Sequence, residues 1–177
     1  NYVIENNVLE SVKDHSAQTD SVIRHQQYLQ VVEKTMFLVT QNEQLLEDYL
    51  LTGDAVKKEQ FEKNTNAIEQ NLAEVKNSYD GYIPKYLVNV FVHKTTNRIN
   101  LNKEIIAAYN TEGREKALEM TDGFLYTASF KEITRGEREL VQALGTKIEQ
   151  LNKQIHLQKR RCWFLINAGI LFRSSLC

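Results

Sequence analysis

The residues of this chain best suited to chemistry are its four histidines. They are His15, His25, His93 and His156. Di-iron helical bundles place a glutamate three residues before a metal-binding histidine, but that position holds Val12, Val22, Val90 and Lys153 here. The glutamate ligands that a metal site of that kind needs are therefore missing. A single histidine on a helix usually belongs to a core or interface, and the alternative for His25 is a ligand contact or a pH-sensitive switch.

Arginine is the second residue type that could meet a ligand, because its guanidinium pairs readily with anions. The arginines considered for this role are Arg24, Arg98, Arg114, Arg135 and Arg138. Surface ion pairing is the commoner role for such residues. We keep His25, Arg98 and Arg114 as candidate ligand-binding residues, with the identity of any ligand unknown.

Motifs for catalysis and for cofactor or metal binding are missing from the sequence. It has no Gly-rich phosphate loop, no Gly-x-Ser-x-Gly elbow and no Cys–His pairing. Both cysteines, Cys162 and Cys177, lie near the end and form neither a disulfide framework nor a zinc pattern. The net charge of −1 gives no electrostatic reason to bind nucleic acid. We therefore expect no catalytic residue, no cofactor, no metal and no nucleic-acid partner.

The spacing of apolar residues predicts helices that hold any such site in place. Helical runs cover residues 3–51, 54–79, 83–109 and 111–160. One proline and seven glycines in 177 residues are too few for an all-β fold. Long, short, short and long helices are typical of an antiparallel up-down-up-down four-helix bundle whose outer helices extend past an inner hairpin. We therefore predict an elongated all-α fold with both chain ends at one pole.

Apolar residues three and four positions apart form stripes along the predicted helices. On the first helix the stripe is Val22, His25, Leu29, Val32, Met36, Val39, Glu43, Leu46 and Leu50. On the third it is Ile83, Leu87, Val90, Leu101, Ile105 and Ala108. On the fourth it is Tyr126, Phe130, Ile133, Glu137, Leu140, Leu144, Ile148, Leu151 and Ile155. We hypothesise that the polar members His25, Glu43 and Glu137 ease a switch between two packings.

Short polar segments mark the turns between these helices. Gly53 suits the left-handed position that ends the first helix, and Asp54 can cap the second. Thr111 is the expected cap of the last helix. The Asp122-Gly123 pair predicts a kink or a tight internal turn within that helix.

The end of the chain differs in composition from the rest. After Lys159-Arg160-Arg161, residues 162–172 are mostly apolar, but a spanning helix needs ~20 residues. We divide the chain into a helical bundle at 1–161 and a segment at 162–177 that is either a truncated transmembrane helix or an unrelated tail. The basic cluster on the outer side runs against the positive-inside bias, which weakens the membrane interpretation.

The run Tyr49-Leu50-Leu51-Thr52-Gly53-Asp54 resembles a signature of the CHASE family, third class. These are cyclase/histidine-kinase-associated sensory extracellular domains. The run Glu112-Gly113-Arg114-Glu115-Lys116-Ala117 and the Asp122-Gly123 pair match the family more loosely, and the resemblance spans residues 20–141. Asp48 stands where the family usually has glycine. The run itself is structural: Tyr49 and Leu50 close the stripe, and Leu51 packs under the turn.

The resemblance implies a sensory domain outside the cytoplasmic membrane, held between two spanning helices. Such domains pass signals to histidine kinase, cyclase or chemoreceptor modules, as in two-component systems. Two outer helices alone bury little surface, so we expect them to pair in a parallel homodimer. A stimulus or partner protein of unknown identity would shift the population between two packings and displace the last helix by ~1–2 Å.

Other functions fit the same helix pattern. A structural or protein-interaction rod without a ligand, such as a coiled-coil tether or assembly subunit, shares the helix lengths and the stripe. A ligand-binding bundle free in solution is a further alternative, and an enzyme is the function least supported. The missing Met at position 1 suggests a trimmed start or a fragment.

Overall fold

The computed structural model describes the backbone of residues 2–174 and the side chains of residues 10, 12–160, 163 and 164. Over this range the chain forms five α-helices and no β-strand. They are α1 (Tyr2–Thr52), α2 (Ala55–Asn77), α3 (Lys85–Thr111), α4 (Arg114–Thr121) and α5 (Phe124–Ser174). The prediction of an all-α fold is confirmed.

The helices divide into two compact units. One unit contains α1 up to Gln27 and α5 from Leu144 onward. The other contains Tyr28–Ala143, and therefore α2, α3 and α4 together with the remaining parts of α1 and α5. We call this second unit the bundle unit. The predicted meeting of the chain ends at one pole stays a prediction.

Hydrogen bonds between distant residues show how α1 and α2 run within the bundle unit. The Tyr28 hydroxyl donates to the Val75 carbonyl at 2.8 Å, and the Asn42 amide donates to the Thr65 hydroxyl at 2.9 Å. Residues later on α1 thus meet residues earlier on α2. The two helices are antiparallel, as the up-down pattern requires.

The same argument gives the directions of α3 and α5. Arg98 pairs with Glu43 of α1, and Asn110 accepts a hydrogen bond from Tyr49 of α1, so α3 is parallel to α1. Lys94 pairs with Glu132. Because Arg98 bonds to Ser129, which precedes Glu132 on α5, the α3 and α5 helices are antiparallel. Within the bundle unit, helices α1, α2, α3 and α5 thus run up, down, up and down.

The predicted stripes account for most of the apolar core. The buried members on α1 are Val22, Val32, Val39, Leu46 and Leu50, and those on α5 are Ile133, Leu140, Leu144 and Leu151. The stripe on α3 was partly wrong, because Val90 is exposed and Phe91 is fully buried. Thr95 and Asn102 are also buried on α3. A search for apolar residues alone therefore finds Leu87, Ile105 and Ala108 but misses the polar part of the buried face of α3.

The turn after α1 has the predicted geometry. Gly53 has φ +71°, and its N–H donates to the Tyr49 carbonyl at 2.7 Å. Asp54 caps α2 by accepting from the Val56 N–H at 2.9 Å. Leu50 is buried, whereas Leu51 is half exposed, so the predicted packing of Leu51 under the turn is wrong.

We expect Gly53→Ala to lower the free energy of unfolding by about 1–2 kcal/mol, because a Cβ strains a left-handed residue. That Cβ would also lie 3.1 Å from the Tyr109 hydroxyl. Gly145→Ala is the control, since Gly145 lies inside α5 with open space around it and alanine should add about 0.5–1 kcal/mol there. Urea denaturation measures both. Equal effects of the two substitutions would contradict the assigned strain.

The predicted last helix at 111–160 is two helices. Thr111 belongs to the last turn of α3, where its hydroxyl donates to the Ala107 carbonyl, so it is not the predicted cap of the next helix. Gly113, with φ +97°, precedes α4 instead. The Asp122-Gly123 pair separates α4 from α5, so the predicted interruption is present as a break between helices.

The segment predicted to be a membrane helix or tail continues α5 as far as Ser174. Trp163 and Phe164 are exposed. The side chains of Cys162 and of residues 165–174, and the whole of residues 175–177, lie outside the described residues. In the part of the chain that is described, no helix has a stretch both long and apolar enough to cross a bilayer.

Candidate functional site

The bundle unit contains a buried ion pair between Arg98 of α3 and Glu43 of α1. Arg98 is 2% exposed, and its Nε donates to Glu43 Oε1 at 2.9 Å while Nη2 donates to Oε2. The remaining nitrogen, Nη1, donates to the Tyr126 carbonyl and to Ser129 Oγ of α5. One guanidinium therefore joins three helices through bonds that need its planar shape.

Glu43 is bound on its other sides as well. Asn102 of α3 donates to Oε1 at 2.9 Å, and the Tyr126 hydroxyl donates to Oε2 at 2.7 Å. Burial raises the pKa of Tyr126 well above its usual range, and the charge of Glu43 raises it further. The hydroxyl therefore stays protonated and remains a donor. We call Glu43, Arg98, Asn102, Tyr126 and Ser129 the Arg98 network.

Aromatic rings cover the guanidinium of this network. The Cζ atom of Arg98 lies 3.5 Å from the centroid of the Tyr126 ring and 5.7 Å from that of Phe130. A cation over an aromatic face is attracted by the ring quadrupole. The rings therefore stabilise the positive charge of the buried guanidinium, and their contact with it packs α5 against α3.

A cleft of about 630 Å³ opens beside the Arg98 network. Its walls come from α1, α3, α4 and α5, and both Glu43 and Arg98 lie in its lining. The apolar part of the lining is Leu46, Leu50, Leu51, Leu118 and Phe130. Small-molecule sites commonly enclose ~300–1,000 Å³ with mostly apolar walls and a few polar groups. The volume of this cleft lies within that range.

Three further charged side chains line the cleft: Glu47 of α1, Asp122 between α4 and α5, and Lys131 of α5. Within the described part of the chain, none of them makes an ion pair or a side-chain hydrogen bond. Their charges are therefore available to a bound molecule, unlike those of Glu43 and Arg98.

A second, smaller cavity of about 350 Å³ lies between α2 and α3. Lys58, Glu62 and Lys103 lie in its lining. Lys103 is paired with Glu69 at 2.6 Å, and Lys58 lies 3.9 Å from Glu62. Its charged groups thus neutralise one another, and the larger cleft is the better candidate site.

The candidate residues from the sequence are not brought together. Arg98 lines the cleft, but its donors are used within the chain, so the surface ion pair expected for it is instead a buried one. Arg114 is the exposed first residue of α4 and belongs to neither cavity lining. His25 is buried in the other unit, with Nδ1 2.6 Å from the Ser21 carbonyl. The ligand roles of these three residues stay predictions.

The sequence alone did not single out Glu47, Asp122 or Lys131 as site residues. The feature of the sequence that could have indicated this site is the Asp122-Gly123 pair, because the break it makes between α4 and α5 lies beside the cleft. As to metals, no group of three or more His, Cys, Asp or Glu residues in the described range could hold an ion.

Comparison with known proteins gives one likeness. No protein-family model matches the sequence, and no curated protein is significantly similar to it. A chain in the solved structure of the "XylFII-LytSN complex" is similar, with 16% identity and a TM-score of 0.43. The likeness covers 76% of this chain and 97% of that one. The CHASE resemblance in the sequence therefore stays a prediction.

Proposed function

We propose that this chain is the sensory input domain of a membrane-bound signalling receptor. The observation that carries the proposal is that the cleft in the bundle unit is lined by both α1 and α5, each of which also forms part of the other compact unit. A molecule bound in the cleft would therefore contact the two helices that continue beyond the bundle unit. These helices could transmit a displacement away from the cleft.

The mechanism is a population shift between two packings of the bundle. A ligand can only shift such an equilibrium by binding one packing more tightly than the other. The Arg98 network is the element that would differ, because it ties α1, α3 and α5 at a single guanidinium. Binding beside it would favour one arrangement and move α5 relative to α1 by ~1–2 Å.

The remaining parts of the proposal concern the cellular setting. The domain would lie on the extracytoplasmic side, between spanning helices, and pair as a homodimer through α1 and α5. The output module would be a histidine kinase, a cyclase or a chemoreceptor, in line with the CHASE resemblance. The setting and the output module rest on the sequence resemblance, and the homodimer rests on the small surface that two outer helices alone would bury.

A chimeric receptor tests the proposal. The chain replaces the input domain of a histidine kinase that has two spanning helices, and a reporter gene measures kinase output. We expect Glu43→Gln to change basal output about fivefold or more, which is the lower range of coupling between sites. Tyr126→Phe removes only one hydrogen bond to Glu43 and should change output in the same direction by less.

Glu69→Gln is the matched control, because Glu69 forms an exposed pair with Lys103 between α2 and α3. It should leave output unchanged. Circular dichroism of each variant establishes that the helices are retained. Folded Glu43→Gln and Tyr126→Phe variants with parental output would refute the sensor function.

An interaction rod without a ligand is the second candidate, and one observation favours it. Phe124 and Leu125, adjacent at the start of α5, are 83% and 79% exposed. Exposed apolar neighbours often mark a surface that binds another protein. The chimera separates the two functions, because output from a rod with no switch is insensitive to Glu43→Gln.

A further inference from the structure

The unpaired charges of the cleft are arranged along its length. Glu43 of α1 meets Tyr126 of α5, and the two helices are antiparallel in the bundle unit. Residues beyond Glu43 on α1 therefore lie toward the start of α5, and residues before it lie toward later positions on α5. This places Glu47 at the Asp122 end of the cleft and Lys131 at the opposite end, near Thr40.

The distance between these ends follows from helix geometry. Thr40 and Glu47 are seven residues apart on α1, which corresponds to ~10 Å along the helix axis. The cleft is thus negative at one end and positive at the other, with apolar side chains and the paired Glu43 and Arg98 between them. Electrostatic complementarity requires an occupant with a cation and an anion separated by a similar length.

We propose that the cleft binds a short linear peptide with free ends, about three residues long. An extended chain spans at most ~3.3–3.6 Å per residue, so three residues cover ~10 Å. The terminal ammonium would pair with Glu47 and Asp122, and the terminal carboxylate with Lys131. Small apolar side chains of the peptide would pack against the half-buried Leu118 and Phe130, away from water.

A single amino acid does not satisfy this arrangement. Its ammonium and carboxylate share one carbon, so it can reach only one end of the cleft. An organic ion of one sign leaves the opposite end unpaired for the same reason. A peptide longer than the cleft would have to leave one terminus outside it.

This assignment rests on the proposed sensor function, for which the peptide would be the stimulus, but binding can be measured independently. Isothermal titration calorimetry of the full chain uses the tripeptide Ala-Leu-Ala, its N-acetylated form, its C-terminal amide and free leucine. We expect the free tripeptide to bind about tenfold or more tightly than each of the other three, because a charge-assisted hydrogen bond is lost in each case.

Variants of the lining residues identify which end of the cleft binds which terminus of the peptide. Lys131→Met should make the free and amidated peptides bind equally, while acetylation still weakens binding. The double variant Glu47→Gln, Asp122→Asn should remove the effect of acetylation and retain that of amidation. Lys103→Met is the control, since it removes a lysine from the second cavity and should leave all preferences intact.

The outcomes separate this inference from the sensor function. Absence of peptide binding, equal binding of capped and free peptides, or tight binding of free leucine would overturn the peptide site. The chimera with Glu43→Gln and Tyr126→Phe needs no ligand, so a shifted output with no peptide binding rejects only the peptide. Peptide binding with unshifted output rejects only the sensor.

Discussion

Replacing Arg98 with methionine should lower the free energy of unfolding by about 3 kcal/mol. Removing one member of a buried ion pair leaves the other charge uncompensated, which costs ~3–5 kcal/mol. The expected value is at the low end because the side chain of Glu43 remains 19% exposed and can be partly hydrated. Methionine retains most of the length of the side chain, so loss of packing is a minor part of the change. Guanidinium denaturation measures the difference.

A second variant tests the cause assigned to this loss. Arg98→Met combined with Glu43→Leu removes both charges, and apolar replacement of a buried pair is often neutral. We expect the double variant to be more stable than Arg98→Met alone. Lys103→Met, which breaks an exposed pair, should cost less than about 1 kcal/mol. A double variant as unstable as the single one would show that the uncompensated charge is not the cause.

Two adjacent leucines should differ greatly in their response to truncation. Leu50 is 1% exposed and belongs to a core cluster that includes Leu46, Phe61 and Ile105, whereas Leu51 is 49% exposed. Leu50→Ala should cost about 2–5 kcal/mol, because it removes buried apolar surface and leaves a cavity. Leu51→Ala should cost less than about 1 kcal/mol.

The pair of variants is its own control, since both change leucine to alanine in the last turns of α1. Helix propensity therefore contributes equally to both. Urea denaturation compares the two free energies of unfolding. A Leu51→Ala variant as destabilised as Leu50→Ala would mean that Leu51 is buried in solution, for example against another molecule.

Local features of the sequence were sufficient to predict α1, α2, α3 and the first turn. The stripe on α1 gave Val32, Val39 and Leu46 as core residues because helical spacing alone determines which side chains share a face. Gly53 and Asp54 were predictable because a left-handed residue and a helix cap are local requirements. None of these depends on residues far away in the chain.

The Arg98 network was not predictable in this way. The sequence led us to expect that Glu43, a polar member of the stripe, eases a switch between two packings, but four hydrogen bonds reach its carboxylate. Its partner Arg98 is 55 residues further along the chain. Their meeting depends on how α1 and α3 align, which the stripe of either helix does not determine. Glu43→Leu alone would therefore leave Arg98 uncompensated.

The break at Asp122-Gly123 was ambiguous for a different physical reason. One glycine within a helix costs only ~1 kcal/mol, so a helix can continue through it if packing favours this. Here α4 packs through the fully buried Ala117, and α5 begins anew at Phe124. Tertiary contacts therefore decided between a kink and two helices, and with them the shape of the cleft.

Arg98 also makes slippage between α1 and α3 unequal in its two directions. One helical turn past Glu43, the next residue on the same face of α1 is Glu47, and one turn before it is Val39. A one-turn offset in the first direction exchanges one carboxylate for another beside the guanidinium. The opposite offset leaves that cation facing an isopropyl group, which cannot compensate it. A single arginine thus makes the two one-turn shifts of α1 along α3 unequal in free energy. The shift that brings Glu47 to Arg98 is favoured over the shift that brings Val39 to it.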